Sequence, residues 1–290
     1  MDSIDKAIAS DDILQAQWSE GLALFSATDS VVVVDPITMQ HQSYKPTMPT
    51  GNVFMAWSKK NDRLVYQSEV LPKLESDNNA DHQPHAVQTG LAISTDESFY
   101  VTSGFHDQSV RYWSLPAGGL QKTIELGGWF TSTNINSMAL FSKGLVLATN
   151  SKSLKWLEHN AKKTKSSKKI CDSQPSIHSF KATKSNIALY RCSQTGDYGL
   201  VKYQKQGSTI TTVSLGQMAT ESNLNSVHLI KESLVLLIFD CGTIRLYDLT
   251  SKSLLTERTF ANTLGLAYLE NSNELVLLKT GKVLEVWKFQ

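Results

Sequence analysis

The chain is poor in the residues that announce chemistry. Cysteine occurs three times in 290 residues, at Cys171, Cys192 and Cys241, with no Cys-x-x-Cys pair. That scatter and odd count argue against a disulfide framework and for a reducing compartment. No Asn-x-Ser/Thr acceptor occurs, in keeping with an intracellular protein. GxGxxG, GxxxxGK(S/T), HExxH and GxSxG are all missing, which moves weight from catalysis toward binding. The longest apolar runs are about six residues, far short of a bilayer span. The opening MDSIDKAIASDD is acidic and lacks the apolar stretch of a secretory signal. Neither charge sign is in excess: 28 basic against 27 acidic residues leave a formal net charge of +1, so the whole chain is no polycation. These absences predict a soluble intracellular protein with no cofactor, no metal, no membrane partner and no small-molecule substrate.

What the chain has instead is a repeated phrase: a short apolar run, a turn, a second run, a turn, then an aromatic-bearing strand. The clearest copies are Thr95–Leu115, Ser233–Leu249 and Glu274–Phe289. Runs of Val, Leu, Ile, Tyr and Phe bounded by Gly, Asp, Asn or Ser-Lys are strand punctuation, not helix periodicity. Only the first dozen residues read as helical. Taking the second strand of each unit as a marker, starts fall at Ile13, Asn52, Thr89, Asn134, Ile177, Asn223 and Thr263, spaced 39, 37, 45, 43, 46 and 40 residues apart. A four-stranded propeller blade takes ~40–45 residues. The expected fold is therefore all-β, a single seven-bladed β-propeller domain over 1–290. Its four-stranded antiparallel blades fall near 1–40, 41–74, 84–121, 122–163, 170–209, 210–253 and 254–290.

Radial order explains the composition. Inner strands packed on both faces read as continuous apolar runs such as LVLLIF and LVLAT. Outer strands keep an aromatic to wedge between blades: Trp113, Trp156, Tyr203, Tyr247 and Trp287. Asp29, Asp107 and Asp240 stand at the preceding turns, where a carboxylate accepts from nearby amides. Such a blade arrangement must also hide its last edge.

The stretches SGFHDQSVRYWSL, IFDCGTIRLYDL and SATDSVVVVD resemble the turn-and-outer-strand half of WD40 repeats. Asp107 with Trp113, Asp240 with Tyr247 and Asp248, and Asp29 with Val34 and Asp35 match that pattern residue by residue. The resemblance implies a non-catalytic scaffold that docks protein partners as one subunit of a larger complex. It departs from the family in having no Gly-His dipeptide. The expectation is therefore that the buried His–Ser/Thr–Asp–Trp tetrad of WD40 blades forms nowhere.

Candidate sites lie where the repeat is interrupted. Lys152–Lys169 carries seven lysines, Lys152, Lys155, Lys162, Lys163, Lys165, Lys168 and Lys169, against the single Glu158. They suit either sequence-independent contact with RNA phosphates or protection of an exposed edge. The same run makes the nucleus the favoured compartment over the cytoplasm. Its Ser-Ser and Thr are candidate phosphorylation sites that would reverse the local charge. Trp129 and Phe130 follow a Gly-Gly and read as a partner anchor or as core filler between units. Leu71–Gln88 reads as a loop rich in Asp, Asn, His and Pro. Its His82 and His85, with His106, are the nearest approach to a metal or acid–base cluster and carry the alternative of an enzyme at a central channel mouth. His178, His228, Cys192 and Cys241 read as packed core residues.

Overall fold

The computed structural model describes residues 15–19, 22–26, 30–35, 38, 40–46, 54–67, 69–71, 85–126, 133–161, 163–167, 169–172, 174–178, 187–204, 209–217, 224–231, 233–239, 242–248, 250–251, 253–261, 263–269, 274–279 and 283–288. Among them there are only strands, turns and bends, and every paired strand is antiparallel to its neighbour. The candidates Asp29, His82, Trp129, Phe130, Lys162, Lys168, Asp240 and Cys241, and the N-terminal helix expectation, lie outside the described residues.

The strands gather into seven sheets taken consecutively along the chain. The first holds β1 (Gln15–Ser19), β2 (Leu22–Ser26), β3 (Val31–Val34) and β4 (His41–Tyr44). The second holds β5 (Met55–Ser58), β6 (Arg63–Tyr66) and β7 (Glu69–Leu71). The third is β8 (Gln88–Ile93), β9 (Phe99–Gly104), β10 (Ser109–Ser114) and β11 (Leu120–Glu125). The fourth is β12 (Ile135–Phe141), β13 (Gly144–Thr149), β14 (Leu154–Glu158) and the two-residue β15 (Lys165–Ser166). The fifth is β16 (Pro175–His178), β17 (Ile187–Cys192), β18 (Asp197–Gln204) and β19 (Thr209–Gln217). The sixth is β20 (Leu224–Lys231), β21 (Leu234–Phe239), β22 (Thr243–Asp248) and β23 (Ser253–Thr259), and the seventh β24 (Thr263–Leu269), β25 (Glu274–Lys279) and β26 (Val283–Lys288). Five sheets thus have four strands, and the second and seventh have three among the described residues.

The marker positions of the sequence pattern fall at or beside the first strand of each sheet rather than the second. The fourth strands run past the expected unit ends, β4 lying wholly after residue 40, β11 extending from 120 to 125 past 121, and β23 from 253 to 259 past 253. The reason is physical. HQSY, LQKTIE and SLLTERT are outermost, largely exposed strands with no apolar run to mark them.

Two compact units divide the chain, one made of residues 1–72 with 221–290 and the other of 73–220. In the second unit the fourth sheet is buried on both faces, and all six residues of β13 are buried. Pleat alternation sorts its side chains. Met138, Leu140, Leu145, Leu147 and Leu157 pack with Ala92, Val101, Val110 and Tyr112 of the third sheet. Ala139, Phe141, Val146, Ala148 and Trp156 pack with Ile177, Ala188, Tyr190 and Val201 of the fifth. In the first unit β1 lies against both β5 and β24, so the first sheet neighbours the second and the seventh. Leu24, Val31 and Val33 pack there with Met55, Trp57, Leu64 and Tyr66.

One covalent feature departs from expectation. Cys171 and Cys192 form a disulfide, their Cα atoms 5.6 Å apart and 21 residues apart in sequence. Cys192 ends β17 directly opposite Pro175, which brings its Sγ to the segment entering β16. The two half-cystines are buried in the core shared by the fourth and fifth sheets, so Cys192 is a cross-link rather than a simple packed hydrophobe.

Candidate functional site

The third sheet carries a polar relay through its buried centre. Asp107 stands on the turn between β9 and β10, Thr102 in β9, Trp113 in β10 and His85 just before β8. His85 Nδ1 lies 2.6 Å from Asp107 Oδ2, and His85 Nε2 2.9 Å from Thr102 Oγ1. Trp113 Nε1 donates to the same Thr102 Oγ1 at 2.9 Å, and Arg111 Nη2 donates to Asp107 Oδ2 at 2.9 Å. Burial pushes the His85 pKa below its usual value, outweighing the pull of Asp107 in the other direction. A neutral imidazole beside a carboxylate must donate from Nδ1, so the hydrogens run one way. The indole donates to the threonine, the threonine to Nε2, and Nδ1–H to the carboxylate.

Gly104 is required by this packing: a Cβ there would meet Asp107 Oδ1 at 2.0 Å and His85 Nδ1 at 2.3 Å. This relay is the tetrad the sequence argued against. His85 follows Pro84 rather than a glycine, so a search for Gly-His misses it. The signal available was the spacing of His85, Thr102, Asp107 and Trp113.

The composition also matches a nucleophile, base and orienting acid. Here, however, Thr102 is 0% exposed and its oxygen already accepts from an indole, so no carbonyl carbon can reach it. The His82, His85 and His106 metal set fails at its centre, because both ring nitrogens of His85 are engaged within the relay. His106 is exposed, its ring edge-on to Phe105 at 5.0 Å.

A second polar cluster joins the third and fourth sheets. Tyr112 Oη and His159 Nδ1 are 3.1 Å apart, and His159 Nε2 lies 3.1 Å from the Phe141 carbonyl oxygen. Lys122 donates to the His159 carbonyl oxygen and lies 4.1 Å over the Tyr112 ring. Burial lowers the pKa values of His159 and Lys122 and raises that of Tyr112. A neutral His159 therefore donates from Nε2 and accepts from Tyr112.

The lysine run is built into the outer edge of the fourth sheet. Lys165 belongs to β15, opposite Trp156, and Ser166 opposite Lys155. Lys165 pairs with Glu158 at 3.0 Å and Lys169 with Asp172 at 2.5 Å. Lys155 is partly buried, which lowers its pKa, while Lys152 and Lys163 are exposed. The Lys152 carbonyl oxygen accepts from the amides of Ile170 and Cys171, and the disulfide follows at once. The segment is closed at its base and spends two of its charges on neighbouring acids.

The remaining singled-out residues are turn formers and edge aromatics. Asp35 Oδ1 accepts from the Thr38 amide, and Asp248 from the Thr250 amide and the Ser251 hydroxyl. These bonds, the Thr250 amide first, hold Asp248 below its usual pKa. Asp35 directly follows β3 and Asp248 ends β22, and each caps the turn into the fourth strand of its sheet. Tyr247 stands in β22 opposite Val235 and Leu254, and Trp287 in β26 opposite Leu275. His178 and His228 stand in β16 and β20, their side chains outside the described residues.

No protein-family signature matches the sequence, and no curated protein matches it. Solved structures do. The β-propeller domain of Myceliophteria thermophila Cps50 (Swd1) superposes with a TM-score of 0.72 at 11% identity, covering 97% of this chain and 98% of that one. The WD40 domain of Neurospora crassa Pan2 gives 0.64 at 9% identity, covering 98% and 91%. The computationally designed Ika8 protein gives 0.58 at 14% identity, covering 97% of each chain. At these identities the likeness establishes the fold, a divergent WD40-type β-propeller.

Proposed function

We propose that this WD40-fold chain is a non-catalytic scaffold that docks protein partners, its seven sheets forming the blades of a single propeller domain and the chain serving as a subunit of a larger assembly. The observation that carries this reading is coverage: 97% of the chain matches a solved propeller domain, which leaves little of it for a separate catalytic body. The third sheet supports it, since the one nucleophile–base–acid set among the described residues is sealed inside the blade. Arrays of this kind bind through loops and edges shared between repeats.

The second reading is direct contact with RNA through the lysine edge, favoured by exposed Lys152 and Lys163 on a chain of net charge +1. It ranks below the first because Lys165 and Lys169 already face Glu158 and Asp172. Salt separates the two. Seven lysines on seven phosphates would give a log–log slope of about −5, so a fourfold rise in salt would weaken binding about a thousandfold. A protein partner identified by native co-purification should instead lose less than about tenfold over that range. Steep loss for the intact chain, abolished in a variant with all seven lysines changed to Ala, would move the assignment to RNA.

A further inference from the structure

The fold separates the three hydroxyls of the lysine run. Ser167 is built into the fourth sheet: its hydroxyl accepts from the Leu154 amide at 3.1 Å, and its own amide donates to the Leu154 carbonyl oxygen at 2.8 Å. Thr164 is half-buried. Ser166 is exposed, in the two-residue strand β15 that follows β14 in the sheet order. Basic residues flank it in sequence, Lys163 and Lys165 before it and Lys169 after.

Ser166 stands directly opposite Lys155 of β14. Residues paired in this way carry their Cβ atoms about 4.5–5.5 Å apart on one face of the sheet. Pleat alternation puts Glu158 on the other face, where it pairs with Lys165 at 3.0 Å. The face that Ser166 and Lys155 share is also that of Leu157, which packs in the core between the third and fourth sheets. Lys155 is half-buried there, and burial lowers its pKa. An anion brought to this ammonium would replace the water that burial has removed.

We propose that Ser166 is a phosphorylation site for a protein kinase directed by flanking basic residues, and that Lys155 holds the resulting phosphate. The acceptor already lies in extended backbone, and a strand of two residues opens at little cost. In the transfer Ser166 Oγ attacks the γ-phosphorus of ATP. The new O–P bond forms as the bond to the β–γ bridging oxygen breaks, ADP leaves with that electron pair, and the hydroxyl proton passes to the kinase's catalytic carboxylate. Seven lysines against Glu158 give the run a formal charge of +6, and the phosphate takes it to about +4. The charge of the lysine edge is then set by modification, whichever partner the chain docks.

The site is tested on the full chain with ATP, magnesium and the catalytic fragment of protein kinase C, the labelled residues being located by tandem mass spectrometry. Ser166 should be labelled ahead of Thr164 and Ser167, and Ser166→Ala should remove most of the labelling in this segment. Earlier labelling of either neighbour, or none within 163–169, overturns the site. The seat is tested without the kinase, on a full chain carrying phosphoserine at position 166 inserted during translation. A charge-assisted bond to Lys155 should lower the unfolding constant in urea about tenfold relative to the unmodified chain, at about pH 8 where the phosphate is fully ionised. Lys155→Met keeps the apolar stem and should abolish that gain. No gain, or the same gain in Lys155→Met, overturns the role of Lys155. Neither result bears on the scaffold reading, which is tested by the salt dependence of a native partner.

Discussion

Replacing Thr102 with valine tests the relay without changing its shape. The hydroxyl accepts from Trp113 Nε1 and donates to His85 Nε2, so its loss strands one donor and one acceptor where no water reaches. Each unsatisfied buried group costs ~1–3 kcal/mol, which puts Thr102→Val near 4 kcal/mol. Thr102→Ser keeps the hydroxyl and deletes a methyl, at ~1 kcal/mol. The fourth sheet offers the converse. Ala148 lies two residues past Val146, the strand partner of Trp156, as Thr102 lies two past Tyr100, the partner of Trp113. Trp156 Nε1 is buried with no acceptor. Ala148→Ser should therefore gain about 1 kcal/mol. Urea unfolding followed by tryptophan fluorescence measures all three variants. If Thr102→Val falls within ~0.5 kcal/mol of Thr102→Ser, the relay contributes packing and nothing more, and the reasoning is refuted.

The disulfide closes a loop of 21 residues, worth ~3 kcal/mol in chain entropy. A Cys171→Ala, Cys192→Ala double variant should lose about that much in a urea titration, and thiol titration of the denatured, unreduced chain should find one free thiol rather than three. Burial lowers the pKa values of both His85 and His159 below the usual imidazole value, so they stay neutral when folded and take up protons on unfolding. Their stability is fully present above about pH 6.5 and is lost as the pH falls through the lowered folded values. Unfolding midpoints measured downward from pH 8 should fall below that point, and less steeply in a His159→Gln variant. Gly104→Ala drives a methyl into the His85–Asp107 contact and should cost several kcal/mol, read as a lowered melting temperature.

The inner three strands of each sheet were readable because burial on both faces demands continuous apolar runs, and LVLLIF, LVLAT and VVVV obey. Their neighbours outside were not. β4, β11 and β23 carry polar, exposed residues whose place is set by hydrogen bonding to an apolar strand rather than by any pattern of their own. The lysine edge was visible as composition, but its ion pairs depend on Glu158 lying beside Lys165 across the β14–β15 turn. The His85 relay escaped because a dipeptide stood in for a geometric requirement. What the blade needs is an imidazole at a given depth, and Pro84-His85 supplies it as well as a glycine would. The disulfide escaped because its partners meet only once β16 and β17 pair.

The fourth sheet lends alternate residues of one strand to two different cores, and this has a consequence for inheritance. Leu145 and Leu147 answer to the third sheet, Val146 and Ala148 to the fifth. A substitution in β13 changes one neighbour's environment and can be compensated there alone. An inserted or deleted codon would instead exchange the two sets, presenting each neighbour with side chains selected for the other. Length variation in this lineage should therefore be confined to the turns, while β13 drifts in two independent registers, each evolving with a different side of the molecule.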